Sequence, residues 1–433
     1  LPSFSIETKT PPLSFRAVFY TNNSPGIFLG MTRAFLRQIL LITAFRLLLN
    51  TGRRFVYPFA PALSRGLEVP LGAITSIIAA GQFTSLLGIF AGPLADRYGY
   101  RMMMRAGLAM LALGMLICGL VPLYWPVFVG LVVASFGKTL FDPAIQAFVG
   151  NNVSYERRGR IIGIAETAWA GSTLIGIPAL ALVIEHVGLR NSFYLLAALG
   201  GISWVIMGVM IPADKVRSKR QRGKVNFLAS LMQLARSRPA AGMLAFGFFI
   251  SVANDCLFVV YGAWFEQDFN VSIVALGFST VAIGSAELLG ESMTALFSDR
   301  LGLKRAIILG PLMAISAYLL LPVIGQSLGL AMVGLFLVFL SFEFTIVTSF
   351  PLCTEVLPQA RATMMSGYYA TAGVGRMVGV LIAGFLWGMG GIAGVAAASA
   401  GFTLLGLLAV LWGLHGWSPL QAPKSDRNLV GED

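Results

Sequence analysis

The sequence predicts an all-helical membrane protein built from two six-helix halves. Apolar runs of about 20 residues, long enough to cross a bilayer, recur along the chain. Hydrophobic residues make up 57% of its 433 residues and charged residues only 12%, whereas a soluble domain averages roughly 25% charged residues. One charged motif also occurs twice, 203 residues apart. The runs are too long for the short alternating strands of a membrane β-barrel.

Twelve membrane spans are predicted from the apolar runs. Spans 1 to 6 cover 36–63, 73–95, 103–123, 126–149, 161–184 and 193–212, and spans 7 to 12 cover 241–265, 273–297, 305–325, 328–352, 363–388 and 391–414. The predicted domains are a partly disordered polar N-terminal segment, 1–34, an N-terminal half, 35–212, a basic linker, 213–240, a C-terminal half, 241–414, and a tail, 415–433. We expect Met31 to be the natural start.

The net charge of +12 comes from basic residues gathered in short segments between the spans and in the linker. The positive-inside rule places such segments in the cytoplasm. We therefore expect an integral protein of a bacterial cytoplasmic (inner) membrane, with both termini and the linker in the cytoplasm. Because the basic residues do not form one continuous stripe, we expect no nucleic-acid partner.

The chain has few residues of the kinds that hold metals or perform catalysis. Cys118, Cys256 and Cys353 lie inside apolar runs, and His186 and His415 are the only histidines. These spacings provide neither a disulfide framework nor a metal site. The sequence also contains no nucleophile–base constellation and no large carboxylate-rich loop. We therefore expect no enzymatic activity, no cofactor and no metal.

The duplicated motif reads GPLADRYGYR after span 2 and, more weakly, ALFSDRLGLKR at the end of span 8. Its aspartates, Asp96 and Asp299, are 203 residues apart. Arg158 and Arg361, each near the start of a later span, have the same separation. Two matches at one spacing indicate a duplicated chain with parallel halves, an architecture known among transporters.

The first copy resembles the signature of the major facilitator superfamily, which lies between its second and third helices. The matching residues are Gly92, Leu94, Ala95, Asp96, Arg97, Gly99 and Arg101. The second copy keeps Asp299, Arg300, Gly302 and Lys304. Tyr100 and Ala295 depart from the pattern. The resemblance covers about 35–414 and implies twelve helices in two halves related by a pseudo-twofold axis along the membrane normal.

The resemblance also implies a conformational latch. In the family, the motif aspartate holds the positive N-terminus of a helix in the other half. Here Asp96 would reach span 11 near Arg361, and Asp299 would reach span 5 near Arg158. The alternative is a local salt bridge that only shapes the loop. The expected latch residues are Gly92, Asp96, Arg97, Gly99, Arg101, Arg158, Asp299, Arg300 and Arg361.

Polar residues inside the spans predict a central cavity. Each charged group in a span costs about 2.5–3.5 kcal/mol on insertion scales, so it is expected to face the bundle interior. In span 1, Arg46, Asn50, Arg53 and Tyr57 share a helical face. The predicted substrate-binding residues are Asn50, Arg53, Tyr57, Lys138, Asp142, Tyr261, Tyr369 and Arg376.

Some of these charges have a second interpretation. Lys138 and Asp142, four residues apart, can form a self-satisfied pair instead of a substrate site. Arg53 is interpreted as an anchor for an anion or an acid. Arg54, on a different face, and Glu343, off the polar stripe of span 10, are interpreted as structural.

Buried acids predict proton coupling. The candidates are Glu166, Asp255, Glu287 and Glu291, each with a structural ion pair as the alternative. Glu287 and Glu291 lie one helical turn apart. Two carboxylates so close in a low dielectric do not both ionise easily, so one is expected to hold a proton near neutral pH.

These expectations point to a secondary active transporter that works by alternating access. The expected partners are a small polar or charged organic solute, protons and the lipid bilayer, and the chain is expected to be a monomer. A partial glycine pattern in span 5, ending at Pro178, favours proton-coupled export. Proton-coupled uptake of an organic anion remains open, as does a membrane sensor or scaffold that transports nothing.

Overall fold

The structure is a computed structural model that describes residues 33–88, 91, 94, 98–153, 155–211, 234, 237–357 and 361–417. Within these residues every regular element is helical and no strand occurs, which confirms the predicted all-helical class. Ten described helices are long and apolar enough to cross a membrane, or eleven if a pair bent by 117° counts as one span. One of the ten contains both span 11 and span 12.

The helices of the N-terminal half follow the predicted order. Span 1 contains Arg33–Arg54 and Ala60–Gly66, span 2 contains Leu71–Phe83 and the 3₁₀ turn Thr84–Leu87, span 3 is Tyr100–Leu120, span 4 is Tyr124–Asn152, span 5 contains Tyr155–Gly171, the π-helical turn Ser172–Gly176 and Ile177–Val187, and span 6 is Leu189–Met210. Several helices extend a few residues beyond the predicted runs, because helical geometry continues into the polar residues at the ends of the runs.

The C-terminal half repeats this arrangement. Span 7 is Arg238–Phe269, span 8 is Ile273–Leu301, span 9 is Leu303–Ile324 and span 10 is Leu328–Val356. Spans 11 and 12 share the helical stretch Arg361–Gly413, in which Gly390 and Gly391 have non-helical torsion angles. A glycine with φ of 54° at Gly391 makes this reversal possible because it has no Cβ to clash in the left-handed region.

Span 1 is not the continuous helix that the sequence pattern predicts. Its first helix ends at Arg54, and residues 55–59 form turns before the next helix begins. The physical reason is Pro58, which has no backbone N–H to donate and disfavours a helical conformation in the residue before it. Tyr57 therefore lies in the turn rather than on the helical face of Arg46 and Arg53.

The duplicated motif has the same backbone form in both copies where it is described. Gly99 has a φ of 90° and Gly302 a φ of 77°, a region that favours glycine. Each of these glycines lies immediately before the first helical residue of the next span. Arg101 donates a hydrogen bond to the carbonyl oxygen of Gly208 in span 6, so this member of the motif contacts its own half.

The rest of the predicted latch cannot be placed. Gly92, Asp96 and Arg97 lie outside the described residues, and the side chains of Arg158, Asp299, Arg300 and Arg361 do as well. The latch between the halves therefore stays a prediction.

Among the described residues, the two halves pack together mainly through three pairs of spans: 1 with 7, 2 with 11, and 5 with 8. Glycines permit the close approach. A Cβ at Gly262 of span 7 would clash with the carbonyl oxygen of Pro58 in span 1, and a Cβ at Gly277 of span 8 would clash with Ala181 of span 5. Both of these glycine contacts lie toward the end of the bundle opposite Arg33, here called the loop side. The side of Arg33 is called the linker side.

An ion pair also joins the halves at the loop side. Arg65, at the end of span 1, donates to both carboxylate oxygens of Glu266 in span 7, at 2.6 and 3.1 Å. The Arg65 side chain is largely exposed. In this conformation the described parts of the halves are thus in contact at the loop side.

Candidate functional site

A cavity lies between the two halves near the middle of the spans. It is lined from the N-terminal half by spans 1, 2 and 5 and from the C-terminal half by spans 7, 8, 10 and 11. The lining residues are Arg53, Arg54, Tyr57, Gln82, Trp169, Asn254, Asp255, Phe258, Glu287, Phe339, Phe342 and Arg376. We call it the central cavity. In this conformation its free space suits water-sized groups only.

A buried ion pair crosses the cavity from one half to the other. The Arg54 guanidinium donates to Glu287 at 2.5 Å and 3.3 Å, and each side chain is only 3% exposed. Trp169 Nε1 and Thr173 Oγ1 also donate to Glu287, at 3.0 and 2.9 Å. Glu287 therefore accepts hydrogen bonds from three residues of the opposite half.

Span 5 positions two of these donors through its π-helical turn. Trp169 lies in the helix before the turn and Thr173 lies within it. A π-turn adds a residue to one helical turn and often occurs at functional sites. Here it leaves the carbonyl oxygen of Trp169 available to accept a hydrogen bond from Arg54 at 3.0 Å.

The Trp169 ring stands among three cations. The guanidinium carbon of Arg54 lies 4.1 Å from the ring centroid, and Arg376 and Lys138 lie 5.7 Å from it. These distances are within the range of cation–π attraction. The Trp169 ring thus attracts all three of these cations.

Asp255 is bound by a short chain of neutral donors. Tyr57 Oη donates to Asp255 Oδ1 at 2.8 Å, and Gln82 Nε2 donates to Tyr57 Oη at 2.5 Å. The Tyr57 ring stacks on Phe258 at 4.4 Å. Arg53 donates to the Gln82 side-chain oxygen at 2.6 Å. Asp255 and Arg53 therefore belong to one network, with Gln82 and Tyr57 between them.

Arg376 is the cation with the fewest partners in the cavity. Among the described residues it makes no hydrogen bond and no ion pair, and its guanidinium carbon lies 5.7 Å from the centroid of the Trp169 ring. Its charge acts on Asp255 and Tyr57. The cavity lining holds three guanidinium groups, Arg53, Arg54 and Arg376, against two carboxyl groups, Asp255 and Glu287.

A second charge cluster lies two helical turns nearer the linker side. Arg46 donates to Asp142 at 3.1 Å and pairs with Glu166 at 2.9 Å. Lys138 also pairs with Asp142. The Asp142 and Glu166 side chains are 27% and 38% exposed, so this cluster is much more open than the Arg54–Glu287 pair. We call these four residues the linker-side cluster.

The structure brings only part of the predicted substrate site together. Arg53, Tyr57 and Arg376 line the central cavity with Asp255 and Glu287. Lys138 and Asp142 form the pair that was the alternative reading and sit in the linker-side cluster. Their roles in binding or coupling stay predictions.

Three other predicted residues lie away from the cavity lining. The Asn50 amide donates to the carbonyl oxygen of Ala168 at 2.9 Å and is fully buried. Tyr261 is fully buried in a stack beside Phe258. Tyr369 is 47% exposed and contacts Phe350 nearer the linker side.

Glu291 and Glu343 complete the set of acids near the cavity. Neither makes a hydrogen bond or an ion pair with any residue that the structure describes. Glu343 of span 10 is 6% exposed, and a Cβ at Gly290 of span 8 would lie 2.8 Å from its Cβ. The prediction grouped Glu291 with Glu287, but only Glu287 has a basic partner.

Sequence reasoning passed over two important residues. Gln82 is a lone polar side chain in an apolar run and gives little signal by itself. Arg54 was read as structural because it leaves the face of Arg53, yet both reach the cavity. The adjacent pair Arg53–Arg54 could have indicated this role for Arg54. Two neighbouring charges inside a span point to different sides of the helix, and each needs a partner there.

Most of the chain is similar to known transporters. The family model of the Major Facilitator Superfamily matches residues 42–290 and 243–431. The uncharacterized MFS-type transporter YceJ of Bacillus subtilis (strain 168) is 25% identical over 360 residues, which cover 81% of this chain and 90% of YceJ. The multidrug resistance protein MdtH of Salmonella arizonae is 30% identical over 138 residues, 31% of this chain and 33% of MdtH.

Solved structures agree on the fold. A bacterial homologue of the human lysosomal transporter Spinster superposes with a TM-score of 0.70 at 15% identity, covering 90% of this chain and all of that one. A peptide transporter POT in complex with sulfate has a TM-score of 0.72 at 14% identity, and the match covers 88% of this chain and 94% of that one. From the match of both halves and these relatives, we conclude that this chain is a multi-pass membrane transporter, a member of the Major Facilitator Superfamily.

Proposed function

We propose that this transporter moves a small organic solute with an anionic group and that it couples this movement to protons. The solute binds in the central cavity between the two halves. Its anionic group pairs with Arg376 and is attracted by Arg53, while its apolar part contacts the ring of Trp169 or Phe258. This proposal corresponds to the alternative that the sequence left open, proton-coupled uptake of an organic anion.

One observation carries the proposal: Arg376 faces the cavity without a hydrogen bond or an ion pair to any described residue. The Arg376 side chain is only partly buried and lines the central cavity, so its guanidinium is available to a solute there. Arg54 has Glu287 and Arg46 has two carboxylates, so Arg376 is the cation that an anionic solute would satisfy. The excess of guanidinium over carboxyl groups in the lining supports the same charge of solute.

Binding requires the halves to move. The central cavity holds water-sized groups only in this conformation, so a solute enters after the halves separate on one side. Rocking of two repeats around a central site is the mechanism by which such folds transport. We place the linker side in the cytoplasm, because the basic linker and the arginine-rich turns lie there.

The test is a counterflow assay in proteoliposomes. The probes are para-aminohippurate, an aromatic organic anion, and tetraphenylphosphonium, a lipophilic cation. We expect exchange of the anion and little exchange of the cation. Arg376→Gln should weaken the apparent affinity for the anion about ten- to a hundredfold, the value of a lost hydrogen bond to a charged group.

Arg190→Gln is the matched control for this test. Arg190 lies at the loop side and donates to the carbonyl oxygen of Gly119, far from the cavity. Its replacement should leave the affinity for the anion unchanged. An Arg376→Gln variant that binds para-aminohippurate as well as the parent protein would rule out this role for Arg376.

Export of several lipophilic compounds is the second candidate function. Its support is the similarity of about a third of the chain to a multidrug resistance protein, together with the partial glycine pattern of span 5. Preferential exchange of tetraphenylphosphonium in the same assay would favour this candidate and contradict the anion proposal.

A further inference from the structure

The acids around the cavity differ in whether a cation or a hydrogen-bond donor contacts their carboxyl group. Glu287 accepts from Arg54, Trp169 and Thr173, and Asp255 accepts from Tyr57. Glu166, nearer the linker side, pairs with Arg46. Each of these three predicted coupling residues therefore already contacts a cation or a hydrogen-bond donor in this conformation.

Glu343 is in the opposite situation. It is 6% exposed, and no described residue donates a hydrogen bond to it or forms an ion pair with it. Gly290 packs directly against its Cβ, which leaves no space for a further side chain there. An ionised carboxylate in such a place would be buried without a partner, which is strongly unfavourable, whereas the neutral acid is tolerated.

The charges that face Glu343 come from three neighbouring spans. Span 8 contributes Glu287 and Glu291, span 1 contributes Arg54, and span 11 contributes Arg376. The two acids oppose a negative charge on Glu343. Arg54 is occupied by Glu287, so Arg376, whose charge also acts on Asp255, is the cation that remains to compensate an ionised Glu343.

We propose that Glu343 of span 10 carries the coupled proton, and that its protonation state controls whether Arg376 is free for the solute. This inference rests on the proposed proton-coupled transport of an anion. When Glu343 takes a proton from water, its carboxyl group is neutral and no longer attracts the Arg376 guanidinium. Arg376 is then free to bind the anionic group of the solute. When Glu343 releases the proton, its carboxylate attracts Arg376 and competes with the solute.

This arrangement makes proton and anion bind together. The proton is held on a carboxylate oxygen of Glu343 and leaves to water on the opposite side when the cavity reopens. Because both ligands are carried in the same step, the proposal predicts symport of one proton with the anion. Glu291, which is less buried than Glu343, lies one turn beyond Glu287 toward the linker side and is placed to pass the proton between Glu343 and that side.

The first measurement is infrared spectroscopy of the purified protein in lipid at neutral pH, without any solute. We expect a protonated-carboxyl band that shifts in D₂O. The band should disappear in Glu343→Gln and persist in Glu185→Gln, a control at an exposed end of span 5. Persistence of the whole band in Glu343→Gln, or its absence from the parent protein, would overturn the proposal.

The second measurement is transport of para-aminohippurate in proteoliposomes. An imposed proton gradient should accelerate uptake at least tenfold in the parent protein. Glu343→Gln should keep anion exchange, because glutamine imitates the neutral acid, but lose the acceleration. Thermal unfolding of each variant checks that it is folded, and Glu343→Asp provides a second variant that retains a titratable group.

The outcomes separate this inference from the proposed function. If the parent protein does not exchange the anion or ignores the gradient, proton-coupled anion transport is wrong, and the inference falls with it even if the infrared band is present. If the parent protein responds to the gradient and Glu343→Gln responds equally, the proposed function stands and the proton resides elsewhere. A response that is lost in Glu185→Gln as well would also count against a specific role for Glu343.

Discussion

Glu287 shows how a single residue can hold the two halves together. Its carboxylate belongs to the C-terminal half, and all three of its recorded partners belong to the N-terminal half. Arg54 is further placed over the Trp169 ring at 4.1 Å. The contacts are buried, so removal of one partner leaves the other charge in an apolar place. Breaking such a pair typically costs about 3–5 kcal/mol.

We therefore predict a strong coupling between Arg54 and Glu287. Arg54→Gln and Glu287→Gln should each lower the free energy of unfolding by about 3–5 kcal/mol. The double variant should lose less than the sum of the two, since it leaves no unpaired charge. The measurement is a double-mutant cycle on unfolding in mixed detergent micelles.

The loop-side pair Arg65–Glu266 is the matched comparison for this cycle. It has a similar length, at 2.6 Å, but the Arg65 side chain is 60% exposed. Exposed pairs contribute about 0–1 kcal/mol, so Arg65→Gln should have a small effect. Equal losses for the two pairs would contradict the view that burial makes the Arg54–Glu287 pair decisive.

At the scale of helices, the loop-side contact of spans 1 and 7 depends on a glycine. Gly262 lets span 7 approach the carbonyl oxygen of Pro58, in the turn that interrupts span 1. A Cβ has no room there, because the nearest atom is a backbone oxygen, which cannot rotate away as a side chain can. The closed state of the loop side therefore requires the absence of a side chain at this position.

Gly262→Val should shift the population toward a state that is open at the loop side. Spin labels at Glu68 and Asp268, both exposed loop-side positions, should report a longer inter-label distance by double electron–electron resonance. Gly384→Val is the control, because a Cβ at Gly384 meets nothing within 4 Å. An unchanged distance distribution in Gly262→Val would show that spans 1 and 7 close without this glycine contact.

The helices could be predicted because a membrane span requires a long apolar run. The hydrophobicity of each residue can be read from the sequence without knowing its contacts. The interruption of span 1 was missed, since Pro58 and Pro61 look apolar in a hydrophobicity pattern although they alter the backbone. The pairs Arg54–Glu287 and Arg46–Glu166 could not be predicted either. Their partners come from distant spans, and helical spacing only determines which residues of one helix share a face.

For the whole molecule, the described contacts are asymmetric between the two sides. The loop side is held by Arg65–Glu266 and by the packing of spans 1 and 7. Toward the linker side, Asp142 and Glu166 are partly exposed. Transport by alternating access needs this arrangement to reverse, so the loop-side contacts must break once in each cycle.

A reversible cross-link between spans 1 and 7 should therefore stop transport. The double variant Arg65→Cys/Glu266→Cys, treated with a short cross-linker that contains a cleavable disulfide, should lose at least tenfold in the counterflow rate, and a reductant should restore it. The native residues Cys118, Cys256 and Cys353 are buried, which limits their reaction. Each single-cysteine variant, treated in the same way, should keep its rate because no covalent bond then joins the halves. Undiminished counterflow in the cross-linked double variant would mean that the loop side does not open during transport, and rocking of the two halves about the central cavity would have to be abandoned.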